Sequence, residues 1–194
     1  MSLLSLPVSS KSMKEIWLSM PDSFIPYLDA SKKASLIDLA ANGTSSEVTN
    51  LLDGNTAVEE LTSDYLRVSL TKNSSIQIKR LPNTKGDSII CVVRTFEAPV
   101  AESTVCLYSS SWDLIKNESW SIEEVAQKPD TMSQEEYKEL LSWMDSALIS
   151  ASLNPKNNEL QLQLSSPFVD QEEKSKLSKL ILQRKINWNG QNYK

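Results

Sequence analysis

The sequence contains no histidine and has only two cysteines and four glycines. Without histidine there is no Ser-His-Asp or Cys-His nucleophilic pair and no His-ligated zinc, iron or haem. Two thiols are too few for an all-cysteine zinc or iron–sulfur site within one chain. The glycines stand far apart, which excludes the glycine-rich loops that cradle phosphate groups. We therefore expect no cofactor and favour a protein that is not an enzyme.

The charge and hydropathy of the chain exclude two further classes of partner. A formal net charge of −5 argues against a nucleic-acid partner, because neutralising phosphates needs clustered Lys and Arg. No stretch approaches the roughly 18 consecutive apolar residues of a membrane-spanning helix. The short apolar segment at the start contains a proline and lacks a basic region, so it is no signal peptide as it stands. We expect residues 1–11 to form a flexible arm.

The N-terminal part carries two helix signatures. Ser12 and Glu15 match a capping box, in which each side chain accepts a hydrogen bond from the other residue's backbone N–H. Pro21 ends this helix, because proline lacks a backbone donor and restricts the residue before it. A second helix is predicted from Ser31, and Asn42-Gly43 supplies a left-handed stop.

The middle of the chain changes to the two-residue period of β-strands. Apolar residues alternate with polar ones over 66–71 and 76–79, which predicts an antiparallel hairpin with one face in water. The unbroken apolar run at 89–93 is typical of a central strand that is covered on both faces. Residues 104–108 are predicted to pair back on it, so the sheet grows as a meander.

The C-terminal part alternates between the two periods. A capping box at Ser133 opens the strongest predicted helix, over about 133–150, and a half-wet strand follows at 160–164. A short helix is predicted after residue 170 and a last strand at 185–188. The order of elements predicts an α+β fold: N-terminal helices, an antiparallel meander, then helix-strand-helix-strand on the same core. We expect one domain over 12–194, with a weak seam near Pro129, and a monomer.

Cys91 and Cys106 fall on strands that are predicted to be neighbours. A tight turn at Ala98-Pro99 places the two cysteines directly opposite, whereas a longer loop makes them diagonal neighbours on one face. Only the first register makes a disulfide easy, because Cα atoms more than about 7 Å apart cannot be bridged. The alternative is two free thiols that act as small apolar side chains.

Carboxylates collect around Asp53, Asp64 and Tyr65, where oxygen ligands could hold calcium or serve a hydrolase. The spacing departs from the EF-hand pattern. A turn explains Asp53-Gly54-Asn55 more simply, since glycine permits positive φ and the acidic side chain bonds its own backbone.

Three aromatic residues, Tyr108, Trp112 and Trp120, lie in or beside an irregular segment. They are candidates for an aromatic platform that contacts a sugar or a peptide. The alternative is that they close the open end of the sheet.

An ordered set of short motifs resembles a family of uncharacterised proteins from Bacteroidales gut bacteria that carries a domain-of-unknown-function label. The resemblance extends from about Met13 to beyond Trp112, and it implies export, with Met1 replacing or trimming a signal peptide. It supplies no catalytic or binding residues. The motifs are Met20-Pro21-Asp22-Ser23, Pro26-Tyr27-Leu28, Leu36-Ile37-Asp38, Val48-Thr49-Asn50, Leu52-Asp53-Gly54, Leu61-Thr62, Asp64-Tyr65, residues 90–95 and Ser111-Trp112-Asp113.

Two functions follow as hypotheses. The first is a non-enzymatic periplasmic or cell-surface module that binds a protein, peptide or glycan through a sheet edge or the Trp112/Trp120 region. The second is a carboxylate- or calcium-dependent hydrolase built on Asp53, Asp64 and Tyr65.

Overall fold

The computed structural model describes residues 11–84, 86, 88–167 and 171–194. Of the flexible arm expected at residues 1–11, only Lys11 falls within the described part. The fold is α+β, with N-terminal helices and an antiparallel meander, as the sequence predicts. Within the described ranges, no helix is both long enough and apolar enough to cross a membrane.

Seven antiparallel strands in chain order form the large sheet, so every neighbour in the sheet is also a neighbour in sequence. The central strand β5 has its first five residues buried on both faces, which confirms the prediction for the run at 89–93. The sequence did not predict β1, β2 or β7. The strands are β1 Glu47–Thr49, β2 Asn55–Leu61, β3 Tyr65–Thr71, β4 Ser74–Leu81, β5 Ile89–Phe96, β6 Glu102–Tyr108 and β7 Leu114–Glu118.

Two helices, α1 Met13–Ser19 and α2 Ala30–Ala41, cover one face of this sheet, here called the helix face. The Ser12 capping box of α1 is present as predicted. The cap of α2 is Asp29 rather than Ser31, because the Asp29 carboxylate accepts the backbone N–H of Lys32 at 2.8 Å. Trp17 lies at the centre of the packing between helices and sheet, and its indole N–H donates to the carbonyl of Lys33 at 2.9 Å.

A second, three-stranded sheet covers the opposite face of the large sheet, here called the sheet face. It has the order β10-β9-β8, with antiparallel pairing throughout. Three short helices pack around it on the same core. The elements are α3 Ile122–Val125, α4 Gln134–Ser142, β8 Leu148–Leu153, β9 Glu159–Ser165, α5 Gln171–Leu177 and β10 Gln183–Asn187.

The helix predicted over 133–150 is too long. It ends at Ser142, and Leu148 begins β8, which pairs with β9. Ala151 and Leu153 are buried and alternate with Ser150 and Ser152, a two-residue period that competes with the helical spacing of the apolar residues before it. Tertiary pairing with β9 decides between the two periods.

The β4 strand of the β3–β4 hairpin does not have the water-facing side that the sequence predicts, whereas the polar residues of β3 remain partly exposed. Ser75, Gln77 and Lys79 point to the sheet face and are buried. The small sheet covers them, and the polar side chains of Gln77 and Lys79 are satisfied by its backbone, where Leu153 N–H and the carbonyls of 154 and 155 are the partners. An alternating pattern shows which face is polar but not whether a second layer covers it.

Candidate functional site

Cys91 and Cys106 project from opposite faces of the large sheet, and both thiols are free. Cys91 pairs with Leu107, whereas Cys106 pairs with Val92, so the cysteines differ by one residue in register. Both predicted registers, directly opposite and diagonal on one face, are wrong. Because successive side chains on a strand alternate between faces, this shift places Cys91 in the core and leaves Cys106 half-buried on the helix face.

Asp53 lies in a turn that the buried side chain of Asn50 holds together. The side-chain oxygen of Asn50 accepts hydrogen bonds from the backbone N–H of Leu52 and Gly54. Its side-chain NH₂ donates to the hydroxyl of Thr56 and to the backbone carbonyl of residue 70. Asp53 has φ of 56°, a left-handed conformation that Asp tolerates. Asn50 is thus the organising residue of this segment, and sequence reasoning missed it.

Asp64 and Tyr65 lie at the other end of the β2–β3 hairpin from Asp53, so the three residues do not converge. The Asp64 carboxylate lies 3.3 Å from the ammonium of Lys79, and the buried Tyr65 hydroxyl donates to Gln77 at 3.2 Å. Both side chains therefore have structural partners. In the described part of the chain, no three metal-ligating side chains group together.

Trp112 belongs to the core under the N-terminal helices. Its ring packs edge-on against Phe24 at 5.3 Å between centroids, and its indole N–H donates to the hydroxyl of Ser19 at 3.2 Å. It has φ of 69° and is only 8% exposed. Trp112 therefore does not join Trp120 in one aromatic surface.

Trp120 and Tyr108 do line one cavity, of about 580 Å³, here called the Trp120 cleft. This volume lies within the roughly 300–1,000 Å³ of typical ligand sites. The cleft lies where the edge of the large sheet at β6 and β7 faces the start of β8. Its lining includes Thr104, Cys106, Tyr108, Glu118, Trp120 and Ile149.

The cleft exists because β7 is shorter than β6. Val105 pairs with Glu118, the last residue of β7, so residues 102–104 of β6 have no β7 residue beside them. The chain leaves the sheet here to form α3, whose capping box joins Ser121 and Glu124. That Ser-x-x-Glu pattern is visible in the sequence, and it is the signal that could have located the cleft.

Several polar side chains of the cleft are engaged with neighbouring residues. The side chain of Glu118 is only 6% exposed, and its carboxylate lies 2.8 Å from the ammonium of Lys116. The Cys106 thiol donates to the amide oxygen of Asn117 at 3.1 Å. Burial, and after it the neighbouring Cys106, raises the pKa of the Tyr108 phenol to about 12, so it stays protonated at neutral pH.

The fold and the cleft together define a three-layer α+β module with an open cleft at one edge of its large sheet. The chain belongs to the family described as "Protein of unknown function (DUF3256)", whose model matches residues 5–193. This membership confirms the resemblance to an uncharacterised family. No functionally curated protein matches the chain.

A solved structure shares the fold. It is described as the structure of a domain of an uncharacterized protein from Porphyromonas gingivalis W83, a member of the Bacteroidales. The TM-score is 0.75 at 20% sequence identity, and the match covers 94% of this chain and 98% of that one. The gut origin and the export implied by the resemblance remain predictions.

Proposed function

We propose that the protein is a non-enzymatic binding module of the periplasm or cell surface, and that the Trp120 cleft receives its partner. One observation carries the proposal: a half-buried tryptophan lies beside a cavity that opens at an incomplete sheet edge. Tryptophan offers a large apolar surface with one polar donor, which is why it is enriched at binding surfaces. The partner in this proposal is a segment of a polymer, either a peptide or a glycan chain.

The state of the ionisable groups favours binding over catalysis. Glu118 is already paired with Lys116, and a phenol whose pKa is raised to about 12 is poorly suited to proton transfer at neutral pH. Both groups are suited to hydrogen bonding with a ligand. Export is supported by the motif resemblance alone, and the absence of a disulfide neither favours nor opposes it.

The experiment screens the purified protein against a random 12-residue phage-displayed peptide library and a glycan array. We expect ligands that bind the parent and lose at least tenfold in affinity with Trp120→Ala. Trp143→Ala is the matched control, because Trp143 is also half-buried and packs on the same core, but does not line the cleft. Its ligand binding should match the parent.

A second variant protects the test against misfolding. Thr104→Arg places a long side chain across the cleft from an exposed position, so it blocks the site without disturbing the core. A parent-like melting temperature with lost binding supports the proposal. Ligands that bind Trp120→Ala and Thr104→Arg as tightly as the parent would exclude the cleft as the binding site.

A further inference from the structure

The Trp120 cleft contains backbone groups of β6 that lie beyond the end of β7. In an antiparallel ladder the N–H and C=O of one residue point to the same side, and successive residues alternate. Ser109 N–H donates to the carbonyl of Asp113 across the β6–β7 hairpin, so the backbone N–H and C=O of odd-numbered residues of β6 point toward β7. Val105 meets Glu118, the last residue of β7. The backbone N–H and C=O of Ser103 are therefore directed past the end of that strand.

The start of β8 presents a second such pair. Asn154 N–H donates to the carbonyl of Glu159. The backbone N–H and C=O of even-numbered residues of β8 therefore point to β9, and those of odd-numbered residues point away from it. Two outward N–H groups are taken by side chains of the large sheet, Ala151 by Ser103 and Leu153 by Gln77. Ile149 is the next outward residue, and it lines the cleft.

We propose that the cleft binds an extended peptide that adds to the free edge of β6 and continues the line of β7. This inference rests on the proposed function and names the class of its ligand. Backbone donors and acceptors at a strand edge are matched by the backbone of another extended chain, whereas a glycan offers no such repeat. Trp120, at the point where the chain leaves the sheet, then packs against the added strand.

Glu118 specifies one side chain of that peptide. Its Oε2 pairs with Lys116, while its Oε1 is buried and has no hydrogen-bond partner among the described residues. The peptide residue opposite Ser103 projects its side chain to the sheet face, as Val105 and Glu118 do, because paired residues share a face. A Lys or Arg at this position donates to Glu118 in a charge-assisted hydrogen bond.

The test uses peptides selected from the random 12-residue library and resynthesised with one N-methyl group at each position in turn. Only residues 102–104 of β6 lie beyond β7, and among them Ser103 directs its backbone groups outward, so strand addition predicts one sensitive peptide N–H, the one that meets the Ser103 carbonyl. Methylation of that N–H should weaken binding at least tenfold, and methylation at the two neighbouring positions should change it by less than about twofold.

The charge preference has its own comparison. Glu118→Gln should weaken binding of a peptide with Lys or Arg opposite Ser103 at least tenfold, and leave its Leu-substituted form unchanged. Glu97→Gln is the matched control, because Glu97 is an exposed carboxylate that does not line the cleft, and it should bind both peptides as the parent does.

The outcomes separate the two proposals. A Trp120-dependent peptide with a uniform N-methyl profile, or Trp120-dependent glycans without any peptide, would overturn strand addition and leave the cleft as the binding site. Peptides and glycans that ignore Trp120 would overturn both.

Discussion

The hydroxyl oxygen of Ser103 accepts a hydrogen bond from the backbone N–H of Ala151 at 2.9 Å. Two strands away in the large sheet, on β4, the side-chain oxygen of Gln77 accepts the N–H of Leu153 at the same distance. An edge strand exposes a row of unpaired backbone groups, and here polar side chains of a different sheet satisfy them. These polar residues of the large sheet therefore join it to the small sheet, whereas the sequence pattern alone predicts that they face water.

Gln77→Leu should lower the free energy of unfolding by about 1–3 kcal/mol, because it leaves the buried N–H of Leu153 and the hydroxyl of Tyr65 without their acceptor. Urea denaturation measures this change. Gln183→Leu, at an exposed position of the edge strand β10, should stay within about 0.5 kcal/mol of the parent. Equal effects of the two variants would contradict the bridging role of Gln77.

The two cysteines should differ in reactivity. In the native protein a thiol reagent such as DTNB should label Cys106, which is half-buried, and leave Cys91 unlabelled, because Cys91 is fully buried and burial raises its pKa to about 12. Cys106→Ser should then show no native labelling and one thiol after denaturation. Mass spectrometry of the unreduced protein should find both thiols free. A recovered Cys91–Cys106 disulfide would contradict the register of β5 and β6.

Stability should fall at alkaline pH. Burial raises the pKa of Cys91 from 9.0 to about 12 in the folded state. The unfolded chain therefore releases this proton first, so the contribution of Cys91 to stability is complete below pH 9 and is lost as the pH rises toward 12. The loss is about 1.4 kcal/mol per pH unit in that window.

A comparison with Cys91→Ala isolates this effect. Urea denaturation at pH 7.5 should find the variant less stable, because it leaves a small cavity. At pH 10.5 the difference between parent and variant should narrow by about 2 kcal/mol, since the alanine has no proton to lose. Both proteins carry Cys106→Ser, so only one thiol titrates. A difference that does not change with pH would contradict the linkage.

Local signals in the sequence identified the elements that local chemistry determines. Ser12 with Glu15 marks the first helix, and the apolar run of β5 marks a strand that is covered on both faces. These local signals do not predict the second layer, because the burial of Gln77 and Lys79 depends on β8 and the turn after it, about 75 residues away in sequence. The position of β8 depends in turn on pairing with β9, which overrides the helical spacing before it.

The sequence predicted only part of the candidate site. Trp112 and Trp120 look alike in sequence, yet the left-handed conformation of Trp112 turns it under the helices, while Trp120 follows the end of β7 and lines the cleft. No residue pattern distinguishes them. The cleft itself is defined by where β7 ends relative to β6: residues 102–104 of β6 extend beyond Glu118, the last residue of β7.

Asn50→Ala should destabilise the protein more than Asp53→Ala. Asn50 is 2% exposed and makes four hydrogen bonds through its side chain, so its loss leaves the backbone N–H groups of Leu52 and Gly54 without their acceptor. We expect about 2–4 kcal/mol for Asn50→Ala and about 1 kcal/mol for Asp53→Ala, where only the left-handed backbone is affected. Urea denaturation at pH 7.5 measures both. The reverse order would show that Asp53 organises the segment.

Lys79 joins the two sheets through a single buried ammonium. The side chain is 1% exposed, and its ammonium contacts the carboxylate of Asp64 and the carbonyls of Asn154 and Pro155, at 3.0 to 3.3 Å. Lys79→Met keeps the length and the apolar stem but removes all three interactions, so it should cost about 2–4 kcal/mol. The half-exposed Asp64 keeps access to water, which is why the cost stays below that of an isolated buried charge.

The matched control for Lys79 is Lys185→Met. Lys185 pairs with Glu159 at 3.2 Å, but its side chain is 61% exposed, so this change should cost less than about 1 kcal/mol. Hydrogen exchange adds the spatial test. Lys79→Met should speed exchange in β8 and the turn after it, where the two carbonyls lie, and leave α1 and α2 unchanged, because these helices pack on the opposite face. Faster exchange in α1 as well would show that the two faces of the large sheet are coupled through β4.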